Sequence, residues 1–162
     1  MARSRVALLL ALSISISISI LPVPALSEEF HVIGRVYCDT CQAGFETNVT
    51  TYIQGAKVKV LCRDRKSMQR LYSVEGETDE TGTYNITVKG DRHDQMCHCE
   101  LLSCSLEGCN RPDPGRCKST VALTRTENGL MNTVQHANAM GCFKDQPLDG
   151  CKHLLNYYLA DV

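Results

Sequence analysis

The sequence predicts an all-β protein, an antiparallel β-sandwich or barrel of about seven strands that disulfide bonds staple together. Three observations support this fold class. Short segments alternate between apolar and polar residues with a period of two. Turn-forming residues separate those segments, and ten cysteines follow a hydrophobic leader.

Six segments carry the strand pattern most clearly. In one of them Val58, Val60 and Cys62 face one side, opposite to the two lysines between them, as in a half-buried strand. The stretch Leu130–Asp149 is too irregular to assign, and Leu154–Leu159 is compatible with a short helix or a last strand. The predicted strands are Phe30–Tyr37, Ala56–Cys62, Gln69–Val74, Thr83–Lys89, Met96–Leu102 and Thr120–Thr126.

The segment Met1–Ser27 has the organisation of a secretory signal peptide. Two arginines precede the apolar stretch Val6–Leu21, and small residues precede a cleavage site that we place before Glu28. The alternative is a signal anchor that stays in the membrane, because Val6–Leu26 is just long enough to span a bilayer. Cleavage is favoured because serines dilute the apolar stretch. We therefore expect a secreted domain of residues 28–162 with no membrane span after cleavage.

The charge balance excludes one class of partner. The chain has 17 Lys and Arg residues against 18 Asp and Glu residues. A strongly basic nucleic-acid-binding protein needs excess cations to neutralise phosphates. We therefore expect no nucleic-acid partner.

The even number of cysteines behind a signal peptide predicts five disulfide bonds. Two other uses of the cysteines compete with disulfide formation. The pair Cys38 and Cys41 forms a C-x-x-C motif, but it does not open a helix after a strand as a redox motif would. Cys97-His98-Cys99, with His93 nearby, has the density of a zinc site. In a strand, however, His98 points away from both neighbours. We expect neither a metal nor a cofactor.

Two N-glycosylation sequons, at Asn48 and Asn85, fit a secreted chain. Asn85 falls on the polar face of its predicted strand, so a glycan there would not disturb the core. Asn48 lies in a polar, turn-rich stretch. Both are predicted acceptor sites.

The candidates for catalytic groups are acidic residues and histidines. Asp39 stands beside two cysteines and is interpreted as a turn former. The cluster Asp91, His93 and Asp94 is interpreted as a solvated loop. The remaining histidines have no partner motif of a known hydrolase or metalloprotease. The protein is therefore predicted not to be an enzyme. The isolated histidines are His31, His136 and His153.

A run of basic residues allows two interpretations. The cluster is an ordinary solvated face, or it attracts an acidic wall polysaccharide such as pectin. Its members are Lys57, Lys59, Arg63, Arg65, Lys66 and Arg70.

Residues Phe30–Gly44, FHVIGRVYCDTCQAG, closely resemble the signature of the olive pollen allergen family, the Ole e I-like pollen proteins. The family pattern G-x-V-Y-C-D-x-C is matched from Gly34 to Cys41, while Gln42 stands where the family usually has arginine. The likeness continues to the last cysteine and covers nearly all of Phe30–Tyr158. It implies one Ole e I-like β domain after the signal peptide.

The resemblance implies three disulfide bonds by position, and four cysteines lie outside the family pattern. For those four we predict a local bridge across the proline-containing turn and one further pair. Register leaves open that Cys97 replaces Cys99 opposite Cys62. The implied pairs are Cys38–Cys109, Cys41–Cys151 and Cys62–Cys99, and the two added pairs are Cys104–Cys117 and Cys97–Cys142.

The resemblance also implies a function. Family members are secreted plant glycoproteins implicated in pollen hydration, germination and tube growth. The expected role is an extracellular binding or signalling protein, with a receptor kinase ectodomain as a partner. The alternative is a cell-wall matrix protein associated with pectin.

Overall fold

The computed structural model describes residues 29–125 and 132–160, which contain ten strands and one helix. The predicted signal peptide Met1–Ser27, its cleavage site before Glu28 and the end of the predicted strand Thr120–Thr126 lie outside the described residues. The elements are β1 (Glu29–Asp39), β2 (Thr51–Tyr52), β3 (Lys57–Asp64), β4 (Arg70–Glu77), β5 (Thr83–Lys89), β6 (Gln95–Ser103), β7 (Arg111–Pro112), β8 (Lys118–Val121), β9 (Val134–His136), β10 (Met140–Phe143) and α1 (Cys151–Leu159).

Strand β1 is the spine of a six-stranded sheet. Its first half pairs antiparallel with β5 and parallel with β9. Its second half pairs antiparallel with β2 and parallel with β10, and β7 adds to the far side of β10. This first sheet is therefore mixed, which the alternation pattern could not reveal because it does not report strand direction.

The second sheet has four strands in the order β4-β3-β6-β8, and all its pairings are antiparallel. In β3 the side chains of Val58, Val60 and Cys62 are completely buried, while Lys57 and Lys59 lie on the other face. The two sheets enclose the core between them. The all-β sandwich predicted from the sequence is confirmed.

The longer strands were predicted well, and the shortest were missed. The prediction Thr83–Lys89 coincides with β5, and the other predicted strands overlap β1, β3, β4, β6 and β8. Strands β2, β7, β9 and β10 have two to four residues each, too few to show a period. The segment Leu154–Leu159 lies in the helix α1, which begins at Cys151.

Two glycines of the core make room for tyrosine rings. A Cβ atom on Gly34 would lie 2.5 Å from Cζ of Tyr84, the residue paired with it across β1 and β5. A Cβ atom on Gly141 would lie 3.0 Å from Cζ of Tyr37. Both tyrosines are among the largest fully buried side chains. The glycine of the first-strand signature is thus explained by close packing against an aromatic ring.

Four disulfide bonds pair eight of the ten cysteines, fewer than the five expected. The structure contains Cys38–Cys109 and Cys41–Cys151, the same two pairs that the resemblance implied. The second of these joins the end of β1 to the start of α1. It therefore holds the helix on the sandwich.

The other expected pairs require correction. Cys62 bonds to Cys97 and not to Cys99, because Cys97 lies directly opposite Cys62 with the Cα atoms 4.1 Å apart. Cys99 lies opposite Val60, one inward-facing position further along. With Cys97 already bonded, the predicted Cys97–Cys142 pair cannot form.

The predicted Cys104–Cys117 pair is also replaced. Cys104 bonds to Cys142, and their Cα atoms are 6.5 Å apart. This bond connects the end of β6 in one sheet to β10 in the other. The thiol of Cys117 instead lies 3.5 Å from the carbonyl oxygen of Pro114. The closeness of Cys104 and Cys117 along the chain gave the wrong pair, because Cys104 forms its bond between the two sheets and not across the proline-containing turn.

Among the described residues, no helix has both the length and the apolar character needed to cross a membrane.

Candidate functional site: a cationic groove on the second sheet

The outer face of the second sheet carries the most distinctive surface of the described residues. Alternation in β6 turns Cys97 and Cys99 into the core and His98 outward between them. In β8 the exposed residues Lys118 and Thr120 lie on the same outer face. Register places His98 between Leu61 of β3 and Thr120 of β8.

These outward side chains, together with the β3–β4 hairpin, form a groove of about 620 Å³, which we call the outer groove. Its volume lies in the range of small-molecule sites. It combines basic side chains with two methionines that are nearly half exposed. Its lining residues are Arg63, Arg65, Met68, Met96, Cys97, His98, Lys118 and Thr120.

The hairpin that walls the groove is built around Asp64. The Asp64 carboxylate accepts hydrogen bonds from the backbone N–H groups of Lys66 and Ser67 and from the Ser67 hydroxyl. The bonds from Ser67, followed by that from Lys66, lower the pKa of this carboxyl. The Arg63 guanidinium donates to the carbonyl of Met68 at 3.1 Å. These contacts hold the loop of the hairpin in one conformation.

Met68 adopts a left-handed backbone conformation, with φ of 58°. A bulky side chain is rarely found in this region, and holding one there costs about 1 kcal/mol or more. The structure tolerates this cost at a residue whose side chain lines the groove. Strain of this kind is often found at binding sites.

Lys59, Glu100 and Lys118 lie side by side across β3, β6 and β8 and form an ionic row, of which Lys118 also lines the groove. Glu100 accepts from Lys59 at 3.3 Å and from Lys118 at 3.2 Å. Partial burial acts to raise the pKa of the Glu100 carboxyl, but the two lysines outweigh it and lower the pKa. One carboxylate thus faces two ammonium groups, and the row keeps a positive charge.

His98 lies within this positive field. Burial is the main cause that lowers the pKa of its imidazole below the ordinary value of 6.5. Glu100 acts against this effect. The charges of Lys118, Arg63 and Lys59 lower the pKa further.

The basic cluster predicted from the sequence is only partly the site. Lys57 forms an ion pair with Glu77 at 3.7 Å, and Lys59 belongs to the ionic row. Arg63 and Arg65 line the groove, whereas the exposed Lys66 and Arg70 do not appear among its lining residues.

Sequence reasoning missed His98, Lys118, Met68, Met96 and Thr120 as parts of one surface. They come from three separate segments that only strand pairing brings together. The outward positions of β6 were readable from its alternation, since His98 and Glu100 alternate with Cys97 and Cys99. The neighbours of those positions on β8 were not.

The acidic residue and the histidines that the sequence analysis considered for catalysis occupy structural or separate positions. The buried carboxylate of Asp39 accepts hydrogen bonds from the N–H groups of Ala43 at 2.9 Å and Gly44 at 2.6 Å, as a turn former does. His31 lies 3.5 Å from the Thr87 hydroxyl. His136 and His153 are exposed, in β9 and α1.

The acidic cluster near the start of β6 ties a loop together. Asp91 accepts hydrogen bonds from the N–H groups of His93 at 2.8 Å and Arg125 at 3.1 Å. Burial opposes ionisation of Asp91, but these bonds and one from the Thr124 hydroxyl lower the pKa of its carboxyl. Nε2 of His93 is 2.9 Å from the exposed Asp94 carboxylate. The arrangement anchors the segment that precedes β6.

Both predicted glycan acceptors are accessible. Asn48 is exposed in a turn, and Asn85 is exposed on β5 between the buried Tyr84 and Ile86. The two glycosylation sites remain predictions.

Two cysteines carry no disulfide bond, Cys99 and Cys117. Cys99 is completely buried, and this burial raises the pKa of its thiol to about 11 although the nearby Tyr84 hydroxyl acts to lower it. Cys117 is only partly buried. The two thiols therefore differ in access.

Comparison with known proteins agrees with the first-strand signature. A family model described as "Pollen protein Ole e 1 like" matches residues 28–159. Protein DOWNSTREAM OF FLC from Arabidopsis thaliana is 47% identical over 141 residues, covering 87% of this chain and 85% of that protein. Anther-specific protein LAT52 from Solanum lycopersicum is 36% identical over 129 residues, covering 80% of each.

A solved structure shows the same fold. The crystal structure of the major plantain pollen allergen Pla l 1 matches with a TM-score of 0.66 and 27% identity, covering 76% of this chain and 99% of that one. Sequence and structure thus agree over most of the chain. The chain belongs to the family of Ole e 1-like pollen proteins.

Proposed function

We propose that this protein is a secreted plant glycoprotein that acts outside the cell as a binding or signalling protein in pollen development or pollen tube growth. The observation that carries the proposal is the outer groove, a concave cationic surface with exposed methionines on a cross-linked sandwich. Rigid scaffolds that present accessible side chains are suited to recognition.

The comparisons support a role in pollen. Relatives described as anther-specific and as pollen allergens share most of the chain. The predicted signal peptide supports a route through the secretory pathway. The partner that we propose is the ectodomain of a plasma-membrane receptor kinase.

A crosslinked pull-down from intact plant reproductive tissue tests this function. The bait is residues 28–162, secreted by eukaryotic cells and tagged at the C-terminus. Arg63→Glu reverses a charge in the groove, and Lys57→Glu reverses one on the same strand outside it. We expect a receptor ectodomain to be recovered with the native and Lys57→Glu proteins and lost with Arg63→Glu and with fully reduced bait.

Two results would count against the proposal. Equal recovery with Arg63→Glu would show that the outer groove is not the recognition surface. Recovery of bait only in the wall fraction, released by salt or pectinase, would replace the signalling role with a matrix role.

A pectin-associated matrix protein is the second candidate, and the β3–β4 hairpin favours it. Lys66 and Arg70 are exposed there beside the groove residues Arg63 and Arg65. Polygalacturonate carries regularly spaced carboxylates that such a cluster attracts. The double variant Lys66→Glu/Arg70→Glu should elute from immobilised polygalacturonate at lower salt than the native protein, and unchanged retention would remove this candidate.

A further inference from the structure

The outer groove combines features that a purely polar ligand would not need. Met68 and Met96 are 48% and 44% exposed on a face that otherwise carries charge. Methionine side chains adapt their shape to apolar ligands. The same groove holds the basic side chains of Arg63, Arg65 and Lys118. Apolar and cationic lining together fit a molecule with an apolar body and an acidic group.

We propose that the outer groove binds a small amphipathic organic acid, and that binding is coupled to proton uptake at His98. The inference rests on the proposed function only in taking the outer groove as a recognition surface. The acidic group would lie over His98 and Thr120, between Arg63 and Lys118. The apolar body would lie against the two methionines.

The position of the acidic group follows from the register of the strands. His98 lies between Leu61 and Thr120 across the sheet. Leu61 is buried, whereas His98 and Thr120 line the groove. Two residues before His98 in β6, Met96 pairs in register with Arg63 of β3. Two residues after His98, Glu100 pairs with Lys118 of β8. An anion over His98 is therefore flanked by cations on both sides.

The coupling to a proton follows from the charges around His98. Burial is the main cause that lowers the pKa of His98, and Glu100 on its own strand opposes it. The charges of Lys118 on β8 and of Arg63 and Lys59 on β3 lower the pKa further. Arg65 of the hairpin adds another cation to the lining of the groove. Their field disfavours a protonated imidazole in the empty groove.

A bound anion reverses this preference. Its charge offsets the surrounding cations, so the pKa of His98 rises in the complex. By linkage, a group whose pKa rises on binding makes binding tighter as the pH falls through the pKa of the complex. We therefore expect affinity for an anion of constant charge to increase between pH 7.5 and pH 5.5.

The test uses 1-anilinonaphthalene-8-sulfonate, whose sulfonate stays ionised over this pH range, in fluorescence titrations of folded protein. N-phenyl-1-naphthylamine has a similar apolar body without the acid and serves as the neutral control probe. We expect the anionic probe to bind about fivefold more tightly at pH 5.5 than at pH 7.5. The neutral probe should show no such pH dependence.

Two variants with matched controls assign the effect to residues. His98→Gln should abolish the pH dependence, whereas His93→Gln, at an exposed loop histidine, should retain it. Arg63→Gln should weaken binding of the anionic probe, whereas Lys57→Gln should not. Near-ultraviolet circular dichroism of each variant checks that the probe reports the groove and not a loosened core.

We expect the variant Met68→Gly to keep the native fold. Glycine accepts the left-handed backbone at this position, so the denaturation midpoint should be unchanged or raised. Because the side chain lines the groove, both probes should bind more weakly.

The proposal is overturned if the neutral probe binds as tightly as the anionic one, or if the pH dependence survives His98→Gln. It is also overturned if Met68→Gly binds both probes normally. If the probe titrations overturn the proposal while receptor recovery in the pull-down remains sensitive to Arg63→Glu, the proposed function stands. If the probes bind as expected but receptor recovery is insensitive to Arg63→Glu, the organic-acid site stands and the proposed receptor-binding role of the groove does not.

Discussion

Removal of the Cys41–Cys151 bond tests how the four disulfides act together. The two cysteines are 110 residues apart, which alone implies a stabilisation of about 5 kcal/mol in the chain-entropy model. The other bonds shorten this loop in the unfolded chain, however. The path runs from Cys41 to Cys38, through Cys109 to Cys104, and through Cys142 to the end of the loop. It contains roughly 17 residues, so the bond should stabilise the fold by about 3 kcal/mol.

The matched comparison is removal of Cys62–Cys97, whose residues are 35 apart. The other bonds offer no shorter path between these two cysteines, so the expected loss is about 4 kcal/mol. Simple sequence separation therefore ranks Cys41–Cys151 as the more stabilising bond, and the connected network reverses the order. All four cysteines are buried, so alanine replacements remove similar packing at both sites.

The assay is equilibrium unfolding in guanidinium chloride, followed by circular dichroism, of the two double alanine variants and the native domain. We expect Cys41→Ala/Cys151→Ala to lose about 3 kcal/mol and the other variant to lose about 4 kcal/mol. A larger loss for Cys41→Ala/Cys151→Ala than for its comparison would refute the reasoning, because it would show that the remaining bonds do not restrict the loop.

Three further predictions follow from the core and the ionic row. In native protein at pH 8, a maleimide reagent should label Cys117 and leave Cys99 unlabelled, because the buried Cys99 thiol has a pKa of about 11. Gly34→Ala should destabilise the fold by about 1–3 kcal/mol in chemical denaturation, since its Cβ would overlap Tyr84. The pKa of Glu100 is lowered in the folded state, so its contribution is present above the unfolded value near 4.5 and is lost as the pH falls through the folded pKa. Glu100→Gln should therefore reduce stability at pH 7 and should reduce it less at pH 3, as measured by thermal unfolding.

Each of these predictions has a control. Labelling after denaturation should reveal two thiols, and intact mass should show four disulfides; no thiols would mean that a fifth bond joins Cys99 and Cys117. Gly115→Ala should be nearly neutral because its Cβ meets only the Asp113 carboxylate at 3.4 Å. A Glu100→Gln deficit as large at pH 3 as at pH 7 would indicate lost packing and not lost charge.

Most of the second sheet could be predicted from the sequence, whereas four of the six strands of the first sheet could not. Strands β3, β5 and β6 have enough residues to display a period of two, and that period reports which side chains face the core. Strands β9 and β10 are too short for the same signal. Their parallel pairing with β1 depends on contacts between residues about a hundred positions apart, which no local pattern records.

The candidate site shows the same division. Arg63 and Arg65 were recognised as part of a basic cluster because they are close in the sequence. His98 and Lys118 join them only because β6 lies beside both β3 and β8. Pairing also neutralises part of the predicted cluster, since Glu77 takes Lys57 as its partner.

The sequence by itself determined the all-β class, the family and the inward and outward positions of the longer strands. These follow from alternation and from the signature at Gly34–Cys41, which are local in the chain. Tertiary structure alone decided that Cys62 bonds to Cys97, and that separate strands form one cationic groove. The reason is register: a shift of two residues along β6 leaves the alternation unchanged, yet it decides whether Cys97 or Cys99 faces Cys62.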